Sequence, residues 1–172
     1  IVETGHVFNG GNLLRIGIGF ADGKDNEKAQ RFVEILKEGG LPSTYGQDIM
    51  KALWEKYAMM CGNSCVFIYF DCEAGEIQKD SEKMAFLRGI YEDILRLAKA
   101  TGVMGMEDMP EKYFKHFLTL PPHTITSLYR DMREGKEETE FEWLVGSSCE
   151  LAKRLNVSIP FMQKVYEAKT KK

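Results

Sequence analysis

The stretch Asp48–Phe70, DIMKALWEKYAMMCGNSCVFIYF, decides the fold. Asp48 is a helix-capping residue type, and Ile49, Leu53, Trp54 and Tyr57 recur at the spacing of an apolar helical stripe. The segment predicts a helix from Asp48 to about Phe70, with Gly62 as a point where it can kink. Lys56 is its odd residue. From periodicity alone, its stem packs along the helix edge while the ammonium stays in water. The alternative is an ammonium partly desolvated beside Trp54. There its pKa moves toward neutrality, and it can give a proton to a carbonyl oxygen.

Helical signals continue downstream. Asp71 to Gly75 reads as a break. A long helix is expected over about Ser81 to Ala100, with Ile90, Ile94, Leu97 and Ala98 inward and Gly102 closing it. Pro110 opens a short helix with Tyr113, Phe114 and Phe117. Pro121-Pro122 forces a connection, and Thr124 to Arg133 is the next helix. Another runs from about Glu138 to Leu155, and Pro160 starts the last. Upstream, His6–Phe8 and Leu13–Phe20 are strand-like, and Asn9-Gly10-Gly11-Asn12 between them predicts a hairpin. Asp25 then caps a helix carrying Phe32, Ile35 and Leu36 on one face and ending at Gly39-Gly40.

Length and composition bound the function classes. The chain has 172 residues, 44% apolar and 28% charged, enough for one globular domain or one domain plus a piece of another. The net charge of -3 gives no basic field for nucleic acid. Lys169–Lys172 reads as a solvated tail. No apolar run approaches the ~18 residues of a membrane span, and no signal peptide is expected. The chain opens on Ile1 with strand-like residues, so it is read as part of a longer protein whose front is absent.

The four cysteines are Cys61, Cys65, Cys72 and Cys149. Cys61 and Cys65 share a helix face and could ligate a metal. No histidine stands at a matching spacing, so buried, reduced core thiols and no metal site are expected, in a reducing cytoplasm. Gly17-Ile18-Gly19-Phe20-Ala21-Asp22-Gly23 looks like a degraded dinucleotide loop, but its third glycine falls one residue late. The following helix leads to Leu41–Gly46, which offers at best a very short strand. The segment is read as strand and turn without a cofactor role.

Three further polar residues stand out. Ser127 opens a helix, where capping is the ordinary role. Asp131, one turn on, reads as a surface or capping carboxylate. Glu140, with Thr139, begins another helix inside the acidic stretch Glu134–Glu142, which alone would serve a helix N-terminus. No one of these signals is specific.

Their order is. Leu53-Trp54-x-Lys56, Gly75-Glu76-Ile77, Ala98-Lys99-Ala100-x-Gly102, Thr126-Ser127-Leu128-x-x-Asp131-Met132, Thr139-Glu140-Phe141-Glu142-x-Leu144-x-Gly146 and Ile159-Pro160 together resemble the ketopantoate reductase (2-dehydropantoate 2-reductase) family. The resemblance implies a mainly α fold. Residues 48–172 would be a helical C-terminal substrate and dimerisation domain of the 6-phosphogluconate-dehydrogenase-like type. Residues 1–47 would be the last hairpin and helix of an N-terminal Rossmann domain.

The activity implied is NADPH-dependent reduction of a small 2-oxo acid to a 2-hydroxy acid, ketopantoate to pantoate in pantothenate biosynthesis. By the match, Lys56 is the general acid and Ser127 binds substrate. Glu140 orients the site and meets the nicotinamide end of NADP, whose main binding surface lies in the missing N-terminal domain. The family pattern has asparagines one and two turns after the lysine; this chain has Met60 and Ser64 there. Ser64 and the adjacent Asn63 are the expected substrate contacts in their place. A cytoplasmic homo-oligomer is expected, with neither nucleic acid nor membrane as partner, and this piece alone is expected to be inactive. The rival readings are a related 3-hydroxyacid or polyol dehydrogenase domain and a non-catalytic helical interaction or dimerisation module.

Overall fold

The computed structural model describes residues 15–46 and 48–170. The chain divides into two compact units, 1–50 and 51–172.

In the first unit, β1 (Ile16–Ile18) leads through α1 (Glu27–Glu38) to β2 (Ser43–Tyr45). The strands pair in parallel, Ile16 with Ser43 and Ile18 with Tyr45. The first strand and turn of the expected hairpin, His6–Asn12, lie outside the described residues. What β1 pairs with among those residues is the strand after the helix. The very short strand that Leu41–Gly46 was expected to offer at best is therefore present, three residues long and parallel to β1. The cap also differs from expectation. Asn26, not Asp25, accepts the Ala29 N–H at 3.1 Å, because Asn26 is the last extended residue before the helix. Val33 is the buried residue of α1, while Phe32 and Ile35 are exposed.

The second unit is helical. Its axis is α2 (Ile49–Phe70), about 33 Å long at 1.5 Å per residue. Every residue from Cys61 to Ile68 is buried, so this half is a core helix enclosed on all sides. Such enclosure requires a close approach at Gly62. A Cβ there would lie 2.5 Å from the Tyr91 ring, so this glycine admits the tyrosine. Asp71, at φ 50, ends the helix, and α3 (Ala74–Gln78) follows at once, where a longer break was expected. The backbone Glu73 N–H donates to Glu76 Oε1 at 3.3 Å, a local hydrogen bond that supports the short helix.

α4 (Ser81–Ala100) is capped by Asp80 and buries Ile90, Ile94, Leu97 and Ala98, the expected inward set. α5 (Met109–Leu118) starts with Pro110 in its first turn. α6 (Ser127–Arg133) begins three residues later than predicted. The helix expected over 138–155 is a π-helical turn, Glu142–Gly146, running into α7 (Ser147–Leu155). α8 (Pro160–Thr170) closes the described chain.

A buried carboxylate fastens this last helix. Asp93 Oδ2 accepts the Phe161 and Met162 N–H groups at 2.7 and 2.9 Å. Arg96 pairs with the same carboxylate and donates Nε–H to the Ser158 carbonyl at 2.9 Å. The helix start thus has partners for N–H groups that would otherwise be buried without any. Among the described residues no helix is long and apolar enough to cross a membrane.

Candidate active site

α2 sets the site's frame because two environments meet along it. Tyr57 donates to the Leu144 carbonyl at 2.8 Å and meets the Ser148 hydroxyl, tying α2 to the π-helical turn. The Leu144 N–H donates to the Glu140 carbonyl at 2.9 Å, so Glu140 is held one turn before Leu144. Gly146 keeps that turn compact: a Cβ there would lie 2.4 Å from the Glu142 carboxylate, which accepts from Tyr166 Oη at 3.1 Å. A π-helical turn inserts an extra residue into the helix and changes which side chains face a neighbour.

The start of α6 is fixed from the opposite side. The Ala74 and Gly75 N–H groups donate to the Thr124 and Pro122 carbonyls at 3.2 and 2.8 Å. Tyr129 Oη donates to Asp71 at 2.9 Å. Thr126, rather than Ser127, is the N-cap, accepting the Tyr129 N–H at 3.4 Å. Ser127 therefore has its hydroxyl free. It is exposed and makes no hydrogen bond to another described residue.

These anchors enclose a cleft of about 140 Å³. Met60, Leu128 and Leu144 form its apolar wall. Ser64, Thr126 and Ser127 bring hydroxyls, and Glu140 brings a carboxylate. Three residues singled out in the sequence, Ser64, Ser127 and Glu140, thus meet at one place although 76 positions separate the first from the last. The Glu140 side chain has no hydrogen-bond or ion-pair partner among the described residues. Ser64 is more committed: its hydroxyl donates to the Met60 carbonyl at 2.8 Å and lies 3.0 Å from the Thr126 hydroxyl.

Lys56 does not line the cleft. It stands one turn before Met60 on the same side of α2, about 6 Å along the axis. Its side chain is exposed and has no ion pair or hydrogen bond among the described residues. The neighbouring Glu55 is taken by Lys112 at 2.8 Å and does not neutralise it. The reading from periodicity, an ammonium in water, is what this chain has, and the alternative of desolvation beside Trp54 is not. Residues two apart on a helix face different ways, and Trp54 packs edge-on against Tyr57 instead.

Asn63 also departs from expectation. It is buried, and its amide oxygen accepts from Tyr91 Oη at 2.6 Å. It does not line the cleft described above, and its amide oxygen is committed to the tyrosine. Asp131 pairs with Lys136, the surface role expected of it. Thr126, Leu128 and Leu144 belong to the sequence motifs but were given no role in the site. The signal for Thr126 was there: a threonine directly before a helix is a better cap than the serine after it.

All four cysteines are buried and free of disulfides. Cys61 and Cys65 sulfurs lie 3.8 Å apart within the core. Among the described residues no cluster of histidine, cysteine and carboxylate is arranged to hold a metal. A larger cavity of about 440 Å³, around Cys149, Lys153 and Tyr166 between α7 and α8, contains none of the residues singled out above as polar site candidates.

Comparison with known proteins identifies the family and the fold. The model of a family described as "Ketopantoate reductase PanE/ApbA C terminal" matches residues 48–172. The 2-dehydropantoate 2-reductase of Aquifex aeolicus is 24% identical over 177 aligned positions, covering 98% of this chain and 56% of that protein. The chain spans about half the length of the curated relatives it matches. Among solved structures, the dimeric ketopantoate reductase of Staphylococcus aureus superposes with a TM-score of 0.74 at 20% identity, over 84% of this chain and 50% of that one. D-mandelate dehydrogenase with NADH and anilino(oxo)acetate superposes with a TM-score of 0.72 at 18% identity, over 88% of this chain and 81% of that one. With the family match extending over most of its length, the chain belongs to the ketopantoate reductase family, and residues 48–172 are its C-terminal part.

Proposed function

We propose that this chain supplies the substrate-binding half of an NADPH-dependent 2-oxo acid reductase, of the kind that converts ketopantoate to pantoate. The observation that carries the reading is the convergence of Ser127 and Glu140 on one cleft, a single helical turn from Lys56. All three side chains are uncommitted among the described residues. Some surface charges elsewhere are paired, such as Arg88 with Glu111 and Lys99 with Glu107.

When bound, the reduced nicotinamide supplies the hydride that adds to C2 of the oxo acid. Glu140 offers a free acceptor for the amide of such a ring, which supports the reading. The rest of the nucleotide falls to a domain of which residues 1–47 form the end. As C2 gains the hydride, the carbonyl electron pair moves onto oxygen. The Lys56 ammonium stabilises that charge and transfers its proton there, completing the hydroxyl. Its four-carbon stem is long enough to span the one turn that separates it from the cleft. Ser127 gives the substrate a hydroxyl donor that owes nothing to helix capping. Covering of the cleft in the full-length protein would remove water and strengthen each of these interactions.

The chain alone should bind substrate weakly and turn nothing over. The full-length protein should be a cytoplasmic homo-oligomer, with exposed Leu53, Met59 and Trp143 available for association. Light scattering at high concentration checks the assembly; a clean monomer would contradict it. NADPH and NADH oxidation by the full-length protein, against a panel of branched 2-oxo acids, tests the activity. Lys56→Ala belongs in the same assay, and full turnover in that variant would remove Lys56 as the proton donor.

A second reading, a helical interaction module without chemistry, draws on the exposure of Lys56 and of Trp143 (81% exposed). It predicts no oxidation of either nucleotide by the full-length protein with any member of the panel.

A further inference from the structure

We propose that Tyr57 is a positioning residue: its hydroxyl, bonded to the Leu144 carbonyl and to Ser148, holds the π-helical turn in the register that aims Glu140 into the cleft. The inference rests on the reductase reading and adds to it a residue that does not itself line the cleft.

Glu140 does not aim itself. Its side chain has no partner among the described residues, so its direction is set by the backbone that carries it. That backbone is tied at the Glu140 carbonyl, which accepts the Leu144 N–H at 2.9 Å. The register at Leu144 is therefore the register of Glu140. Just beyond, the Ser147 N–H reaches back five residues to the Glu142 carbonyl, the π-helical pattern. Such turns are rare and recur at functional sites.

The turn is held from two sides. From α8, Tyr166 donates to the Glu142 carboxylate at 3.1 Å, and its ring stacks on Phe141 with centroids 6.0 Å apart. From α2, the tie is Tyr57. Its Oη donates to the Leu144 carbonyl at 2.8 Å, while Ser148 Oγ lies 2.9 Å from the same carbonyl and also meets Oη. A hydroxyl has one proton to donate, and here both protons find an acceptor within the group. Cys61 adds little, with its sulfur 4.0 Å from that carbonyl. Burial above all keeps the Tyr57 phenol protonated, so it stays a donor at neutral pH. Ring packing is a separate matter: the Tyr57 ring meets Trp54 edge-on at 5.5 Å, a contact phenylalanine can keep. Removing the hydroxyl alone therefore takes away the short hydrogen bond between the turn and α2, the helix that carries Lys56. The spacing of Glu140 from Lys56 is what loosens.

The experiment is a double-mutant cycle between Tyr57→Phe and Glu140→Ala in the full-length protein. Two quantities are read: kcat with the best acid of the branched 2-oxo acid panel, and the dissociation constant of NADPH, with NADH alongside. Tyr57→Phe should lower kcat about tenfold to hundredfold, the scale of a small misplacement, and should weaken nucleotide binding. KM for the oxo acid should hold within about twofold, because the helix of Ser127 is anchored separately through Thr126 and Tyr129. In the Glu140→Ala background, Tyr57→Phe should change kcat and nucleotide affinity by no more than about twofold. Ser148→Ala, which leaves Tyr57 its bond to Leu144, should act in the same direction but less strongly, and it takes the place of Tyr57→Phe in the cycle if that variant does not fold. A kcat that Tyr57→Phe leaves unchanged, or an equal loss in both backgrounds, overturns the inference and leaves the reductase reading standing. Absence of turnover with nucleotide still bound removes the reductase reading, and the cycle in nucleotide affinity then decides the role of Tyr57. Absence of both turnover and nucleotide binding removes both.

Discussion

The two halves of α2 belong to one continuous helix and live in different worlds. From Lys51 to Met60 the residues are mostly exposed or half-buried, and only Ala58 is fully enclosed. From Cys61 to Ile68 all are buried. The second half is held by the Gly62–Tyr91 approach and by the hydrogen bond from Tyr91 to Asn63. The first half carries Lys56 and Met60. The contrast teaches a division of labour: the rigid half fixes the position of the half that meets a ligand, and the exposed half is free to vary its chemistry. Substitutions in the two halves should therefore be separable by what they damage.

The largest expected effect is on rate. Lys56→Ala should lower kcat of the full-length protein about 1,000-fold, equivalent to about 4 kcal/mol of barrier. Its melting temperature should stay within a degree or two, because an exposed side chain without partners is removed. Loss of stability comparable to the loss of rate would break the comparison. In the other half, Gly62→Val forces the Tyr91 ring away and should cost about 3 kcal/mol, read from the denaturant midpoint. An unchanged midpoint would show that the core tolerates a helix shift here.

Ser127→Ala, across the cleft from the first half, should lower kcat/KM about tenfold to thirtyfold with little change in stability. Thr126→Ala should do the reverse, losing about 1 kcal/mol through the cap. The smallest effect is on titration. The hydrogen bond that the Cys65 thiol makes to Cys61, and then burial, push that thiol above its ordinary value, so it stays protonated in the folded protein. A raised folded value stabilises below the ordinary thiol range, and that stability is lost as pH rises through the folded value. At pH 8 the folded protein should leave Cys65 unmodified by a chromogenic disulfide, with reaction appearing on unfolding. Rapid modification before unfolding would show that this half opens on its own.

Much of the helical unit was legible because its boundaries are written in local chemistry. Asp80 before Ser81, Pro110 and Pro160 each mark a helix start by their own backbone or side-chain preference. Ile90, Ile94, Leu97 and Ala98 declared the inward face of α4 by spacing alone. The features that escaped depend on distant partners. A very short strand over Leu41–Gly46 was allowed for, but its parallel pairing with β1 was not expected. The π-helical turn has no residue signature; it follows from how Tyr57, Ser148 and Tyr166 hold that segment. The same limit applied to the site. Ser64, Ser127 and Glu140 were marked through family likeness and share the cleft, whereas Asn63 faced inward for a reason visible only once Tyr91 was placed.

The extra residue in the π-helical turn has an evolutionary consequence. Each residue of a helix advances it by about 100°. Deleting one position between Glu142 and Gly146 could convert the turn to ordinary helix without interrupting the rod, yet it would swing Glu140 roughly a quarter circle relative to α7. A lineage carrying such a deletion would inherit the same scaffold with its carboxylate re-aimed, a route to altered selectivity that needs no new side chain.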